Sequence, residues 1–235
     1  MLTSALSITT LTAMSKLYLV STPIGNLNDI TFRAIHTLKT VGLVLAEDTR
    51  VTKKLLSNYQ IYTPIESFFE HNEEKKIDTV IQKLKQGQAI ALVSDGGSPL
   101  ISDPGYKLVR EAVKNGIEVE SIPGPSAVLT ALTSSGLPTD QFLFIGYLPK
   151  KPGKINSILE FVDTVIKMRA TTIIFFESPH RLAKTLTILA EKFPESELVV
   201  ARELTKIHEE FIRDKAKNMV QKKIIPKGEI TILLR

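Results

Sequence analysis

Ala89-Ile90-Ala91-Leu92-Val93 runs directly into Ser94–Gly105, SDGGSPLISDPG. The apolar run, preceded by Gly87 and ended by a turn cluster, reads as a central strand buried on both faces. The twelve residues after it hold three glycines, two prolines, two aspartates and three serines. Glycine lets the main chain approach a ligand closely, and proline fixes local geometry and removes donors. The following PGYKLVREAVK reads as a helix, with Asp103 as its N-cap and Pro104 at its first position. In an open α/β sheet, ligands sit beyond the carboxyl ends of strands. A cap accounts for Asp103. It does not account for Asp95-Gly96-Gly97-Ser98-Pro99, which is longer and more polar than a minimal turn needs.

The same strand–loop–helix unit recurs on both sides of this stretch. Leu17–Val20 is an apolar strand that enters Ser21–Asp29 (STPIGNLND), and a helix follows over Ile30–Lys39. Gly42–Ala46 ends in Glu47-Asp48-Thr49-Arg50 and a helix over 51–58, capped by Asp48 or Thr49. Ile61–Phe69 gives a short third strand. Glu73–Gln86 is an amphipathic helix, with Ile77, Val80, Ile81 and Leu84 on one face. Ile117–Ile122 turns through Pro123-Gly124-Pro125-Ser126-Ala127 into a helix over 126–135, capped by Ser126. Such strict β/α alternation predicts a largely parallel sheet.

Gly136-Leu137-Pro138-Thr139 is the best linker, dividing an N-terminal α/β domain (16–137) from a C-terminal one (138–235). Beyond it come a strand at Phe142–Ile145, a basic Gly/Pro-rich loop over Gly146–Lys154 and a helix over 155–168. The strong strand Thr171–Phe176 then leads into Glu177-Ser178-Pro179-His180-Arg181. That stretch opens the next helix, with Ser178 as cap and Pro179 at its first position. A strand at Leu198–Ala201, a charge-dense segment over 202–210 and a closing strand at Gly228–Leu234 complete the chain.

Composition narrows the chemistry. The 235 residues contain no cysteine, which removes disulfides and thiolates and fits a reducing cytoplasm. Four scattered histidines (His36, His71, His180, His208) lack metal-ligand spacing, so no metal is expected. No apolar run reaches the length of a membrane span. Residues 1–15 carry charge only at the amino terminus and read as a disordered extension, neither signal nor transit peptide, with Met14 an alternative start. Residues 1–138 balance thirteen Lys and Arg against thirteen Asp and Glu, while 139–235 hold seventeen against twelve. The whole excess of +5 therefore lies in the second part. Ordinary solubility explains it, and so does a phosphate-bearing partner.

The dinucleotide fingerprint, the Walker phosphate loop and the nucleophile elbow are all absent. What remains is a set of backbone-rich strand-end loops suited to a neutral or zwitterionic small ligand.

Six stretches carry a resemblance: LYLVSTPIGNLNDIT (17–31), AEDTRVTKKLL (46–56), VSDGGSPLISDPG (93–105), IPGPSA (122–127), ESPHRL (177–182) and RELTK (202–206). Together, in this order, they resemble the tetrapyrrole-methylase-like S-adenosylmethionine enzymes, and within them the branch that modifies 16S ribosomal RNA. One departure is Gly96-Gly97-Ser98, where that branch more often has Ala-Gly-Thr. The resemblance implies a class III methyltransferase fold of two α/β domains, with the methyl donor in the cleft between them, and a homodimer. It implies 2′-O-methylation of a cytidine ribose in 16S rRNA, as free RNA or within the small ribosomal subunit. Carried over by position, it assigns S-adenosylmethionine to Pro23, Ile24 and Gly25, to Asp95 and Ser98, to Pro125, Ser126 and Ala127, and to Leu148.

A ribose hydroxyl must lose its proton, and a side-chain base would help. Glu177, Lys206 and Glu203 are the candidates, although these acids could simply pair with Arg181 and Arg202. Arg50, Lys150, Lys151, Lys154, Arg181 and Lys206 are the candidate RNA-phosphate contacts. Two other readings stay open: a methyltransferase of this fold acting on a tetrapyrrole or a protein side chain, and a non-catalytic RNA-binding factor.

Overall fold

A computed structural model describes residues 15–235. The reading of residues 1–15 as an extension therefore lies, except for Ser15, outside the described residues. By compactness the described chain divides into two units.

The first unit comprises the chain up to Thr22 and Ile30–Gly124. Its sheet holds β1 (Lys16–Val20), β2 (Leu43–Ala46), β3 (Ile65–Ser67), β4 (Ile90–Val93) and β5 (Glu118–Ile122), in the order β3-β2-β4-β1-β5. Every pairing is parallel, as the alternation predicts. Helices α1 (Phe32–Thr40), α2 (Thr49–Asn58), α3 (Glu73–Lys85) and α4 (Tyr106–Lys114) supply the crossovers. Leu43 and Leu45 face the side covered by Val80, Ile81 and Leu84 of α3 and Leu108 of α4. Val44 and Ala46 face the opposite side, against Ala34 and Leu38 of α1 and Leu56 of α2. Alternate residues of one strand thus bury into two layers, so β2 and β4 read as continuous apolar runs.

The second unit comprises Pro23–Asp29 and Pro125–Arg235. Its sheet holds β6 (Phe142–Tyr147), β7 (Thr172–Glu177), β8 (Glu197–Arg202), β9 (Glu210–Lys215) and β10 (Ile230–Leu234), in the order β6-β7-β10-β8-β9. Only β6 and β7 pair in parallel; the rest are antiparallel. Helices α6 (Pro152–Met168), α7 (Leu182–Lys192) and α8 (Ala216–Met219) cover one face. On the other, Ile24 joins Val128, Ala131 and Leu132 of α5 (Ala127–Ser135) against Ile174, Val199 and Leu233. Compactness thus groups α5 with the second sheet, whereas the linker residues suggest a division at 137/138.

Several local expectations are corrected. Asp103 does not cap α4, which begins at Tyr106 behind Gly105 at φ 122°. The Gly105 N–H instead donates to the buried carboxylate of Glu73, 3.1 Å away. An added Cβ at Gly105 would lie 2.6 Å from Leu92 Cδ2, so helix entry here requires glycine. Ser178 does not cap α7 either: the helix begins at Leu182, after a turn in which the Arg181 N–H donates to Ser178 O. The charge-dense stretch also hides β9, an edge strand beginning at Glu210.

Candidate active site

In the first unit the loops after β1 and β4 are joined. The Thr22 N–H donates to Gly97 O and the Gly97 N–H to Thr22 O, each at 2.9 Å. Thr22 Oγ1 donates to Ser94 O at 3.2 Å, and the Ser21 and Ser98 hydroxyls lie 3.0 Å apart. An added Cβ on Gly124 would stand 3.0 Å from Ser21 Cβ, so the end of β5 joins the same platform. Leu100 (φ 73°) and Ser102 (φ 70°) hold left-handed backbone, a cost that persists only where surrounding structure imposes it.

Asp95 stands exposed at this platform. Its Oδ1 accepts the Asp48 N–H at 3.0 Å, which leaves Oδ2 available. Glu47, Asp95 and Asp103 form an electrostatic group at the carboxyl ends of β2 and β4. Burial, then the charges of Asp103, Asp95 and Asp48, raises the pKa of Glu47 to about 7. Burial likewise lifts Asp103 to about 6, against a hydrogen bond from Ser94. Asp95 is raised too, chiefly by burial. Asp48 goes the other way, to about 2, because Arg50 bonds its carboxylate at 2.6 Å. Glu47 and Asp103 escape a residue-type search: one reads as half of an acid pair and the other as a cap. Their signal is desolvation beside like charge, which a sequence does not display.

The acids proposed as bases in the second unit are engaged. Glu177 is 2% exposed. It accepts from the Ser178 N–H and Thr185 Oγ1, each at 2.6 Å, and pairs with Arg181 at 2.6 Å. Arg181 Nη1 also donates to Leu148 O at 2.7 Å. Leu148 itself is a core side chain, so any ligand contact there belongs to its main chain. Glu203 accepts from Lys206 Nζ at 2.9 Å and from the Glu229 N–H at 3.1 Å, and Lys206 holds its pKa down. Burial works against the Lys206 charge, but the bond to Glu203 and the charge of Glu229 outweigh it, and its pKa is raised.

The segment after β1 packs against this loop. An added Cβ on Gly25 would lie 2.8 Å from Leu204 O, so close backbone approach already explains the glycine. Glu203 (φ 53°) and Thr205 (φ 64°) adopt left-handed backbone in the same loop. Ile24 is buried among Val128, Ala131 and Leu204. Ser126 caps α5 by accepting from the Leu129 N–H at 3.5 Å, between half-buried Pro125 and Ala127. Lys150, Lys151 and Lys154 are exposed around the start of α6. Among the described residues no acid or histidine group has the geometry for a metal ion, and no helix is long and apolar enough to cross a membrane. Asp95 and Ser98 thus lie in the first unit, and the remaining donor candidates in the second.

The family model for tetrapyrrole (corrin/porphyrin) methylases matches residues 16–220. The chain is 46% identical over 223 residues to the ribosomal RNA small subunit methyltransferase I of Thermotoga maritima, covering 94% of this chain and 98% of that one. Its Bacillus subtilis counterpart is 50% identical over 200 residues, covering 85% and 67%. Among solved structures, a diphthine synthase superposes with TM-score 0.71 at 13% identity, covering 94% of this chain and 90% of that one. The Thermus thermophilus uroporphyrin-III C-methyltransferase complexed with S-adenosylhomocysteine superposes with TM-score 0.65 at 18% identity, covering 93% and 97%. These structural likenesses show the fold.

Proposed function

Because the chain belongs to the tetrapyrrole (corrin/porphyrin) methylase family, we propose that it is an S-adenosylmethionine-dependent methyltransferase that 2′-O-methylates a cytidine ribose of 16S rRNA. The observation that carries this is the 46% identity, over nearly the whole of both chains, to a ribosomal RNA small subunit methyltransferase I. The solved tetrapyrrole and diphthine enzymes share the fold at under 20% identity and do not favour their own substrates here.

The residues present fit this donor. When bound, S-adenosylmethionine supplies a methyl group already activated on a sulfonium. Asp95 has the chemistry to accept from a ribose diol or an ammonium through its open oxygen. The Ser21–Ser98 hydroxyl pair and the glycine-bearing turn at Gly97 give a rigid polar surface with close backbone access. In the second unit, Pro23–Gly25, Pro125–Ala127 and the Leu148 main chain complete the proposed donor set. Positioning supplies much of the rate in such a transfer.

The Glu177–Arg181 pair braces the turn carrying Leu148, and the Glu203–Lys206 pair braces the loop packed on Gly25. Proton acceptance falls to Glu47, whose pKa near 7 suits a base at neutral pH. Exposed Lys150, Lys151, Lys154 and Arg50 meet RNA phosphates, so binding weakens with salt. The protein works as a homodimer in the cytoplasm; light scattering on the pure protein tests the dimer.

The deciding experiment is position-resolved mass spectrometry of 16S rRNA nucleosides from cells with and without this gene. One 2′-O-methylcytidine should vanish and return with wild type but not with Asp95→Ala. An unchanged methylation map would move the substrate elsewhere.

A further inference from the structure

The first unit carries a second concave feature, formed by α2 and the segment that leads into β3. It is an open groove of about 610 Å³ floored by Leu56 and Ile61. Thr49, Arg50, Lys53, Ser57, Tyr62 and Thr63 line its walls, and no carboxylate does. Tyr62 is 90% exposed, a bare aromatic ring on a polar surface. Arg50 is braced by Asp48 through Nε and Nη2, yet its side chain is 87% exposed. Lys53 and its neighbour Lys54 are exposed and belong to none of the ion pairs found among the described residues. The first half of the chain is neutral overall, so this one-signed rim is local. A shallower depression beside α3 and α4 shows the contrast: Glu74, Asp78 and Glu111 alternate there with Lys107, Arg110 and Lys114.

Exposed cations, hydroxyls and one flat aromatic over an apolar floor are what single-stranded nucleic acid asks of a protein surface. Phosphates need the cations, and any base can stack on the ring. We propose that this groove docks a single-stranded RNA segment of the substrate, one base stacked on Tyr62 and its phosphates against Lys53 and Arg50. The proposal rests on the RNA reading above and adds to it a docking surface in the first unit, distinct from Asp95.

The test is steady-state methylation of small ribosomal subunits from cells lacking this gene, by wild type, Tyr62→Ala, Tyr62→Phe and Lys53→Glu, with donor affinity measured in parallel. Tyr62→Ala should raise KM about tenfold, by loss of one stacked base, with kcat and donor affinity close to wild type. Tyr62→Phe, which keeps the stacking face, should remain close to wild type. The Lys53→Glu defect should grow between about 50 and 200 mM salt, as phosphate contacts weaken. A second arm follows fluorescence anisotropy of a labelled single-stranded RNA of about twelve nucleotides, within the length such grooves bind.

If wild type leaves ribosomal RNA unmethylated while Tyr62→Ala still loses the oligonucleotide, the functional reading fails and the groove stands. If wild type neither methylates nor binds RNA, both fall. If KM and oligonucleotide affinity are unchanged in Tyr62→Ala and Lys53→Glu, the groove is not an RNA site. If these variants instead split a dimer in solution, the groove is a subunit interface and the proposal is overturned.

Discussion

The two sheets use the charged residues at their strand ends in opposite ways. In the first unit, half-buried Glu47 and Asp103 lie under the like charge of Asp95, and the proton affinities of all three rise. In the second, Glu177 is locked to Arg181, and Glu203 to Lys206. A carboxylate held by a cation and two hydrogen bonds has its lone pairs engaged and braces a loop. A carboxylate crowded by other acids keeps the capacity to take a proton.

The contrast breaks most decisively at Glu47. Glu47→Gln should lower turnover by about 100-fold, the contribution of a positioned base. It should also remove the rise of wild-type turnover through about pH 7; a pH–rate profile reads both, and an unaltered limb would return the question to the second unit. Asp95→Ala should weaken donor binding by about 10–100-fold, as expected for a charge-assisted hydrogen bond. Calorimetry checks this, with a small change in melting temperature confirming that the fold survives.

Glu177→Gln should do the reverse. It breaks a buried pair at a cost of about 1–3 kcal/mol, lowering the melting temperature by roughly 3–8 °C for a chain of this size. Turnover at 25 °C should stay within about threefold of wild type if the brace is only a brace. A hundredfold loss with an unshifted melting temperature would make Glu177 catalytic after all.

The smallest effect is one of sign. A carboxyl whose folded pKa is raised stabilises the fold fully below its unfolded pKa, near 4. That contribution is lost as pH rises through the folded value, about 7 for Glu47 and about 6 for Asp103. Glu47→Gln should therefore melt above wild type at pH 8 and level with it at pH 4. Thermal scans at the two pH values decide this.

The first sheet was legible because β1, β2 and β4 are short apolar runs, each closed by a polar turn and followed by a helix. The loop proposed to hold the donor stands out in the sequence because Asp95–Pro99 exceeds what a turn requires. Other features depended on distance in space. Asp103 and Ser178 are good caps by residue type, but Glu73 takes the Gly105 N–H and a turn precedes Leu182. β9 was hidden because Glu210–Lys215 is an edge strand whose charges suit solvent. The pairing of Arg181 with Leu148 O spans 33 positions, and the pressure of Asp103 on Glu47 spans two helices and two strands. Neither leaves a local trace.

The grouping of Pro23–Asp29 with the second sheet has a consequence in time. These seven residues are made well before the strand β10 that completes their unit. The first unit is whole once Gly124 has emerged. At ordinary synthesis rates Ile24 then waits roughly 5–20 s for the rest of its core. During that interval an early segment stays uncommitted beside a finished neighbour, so slowing translation after residue 124 should lengthen its exposure to proteases without touching the first sheet.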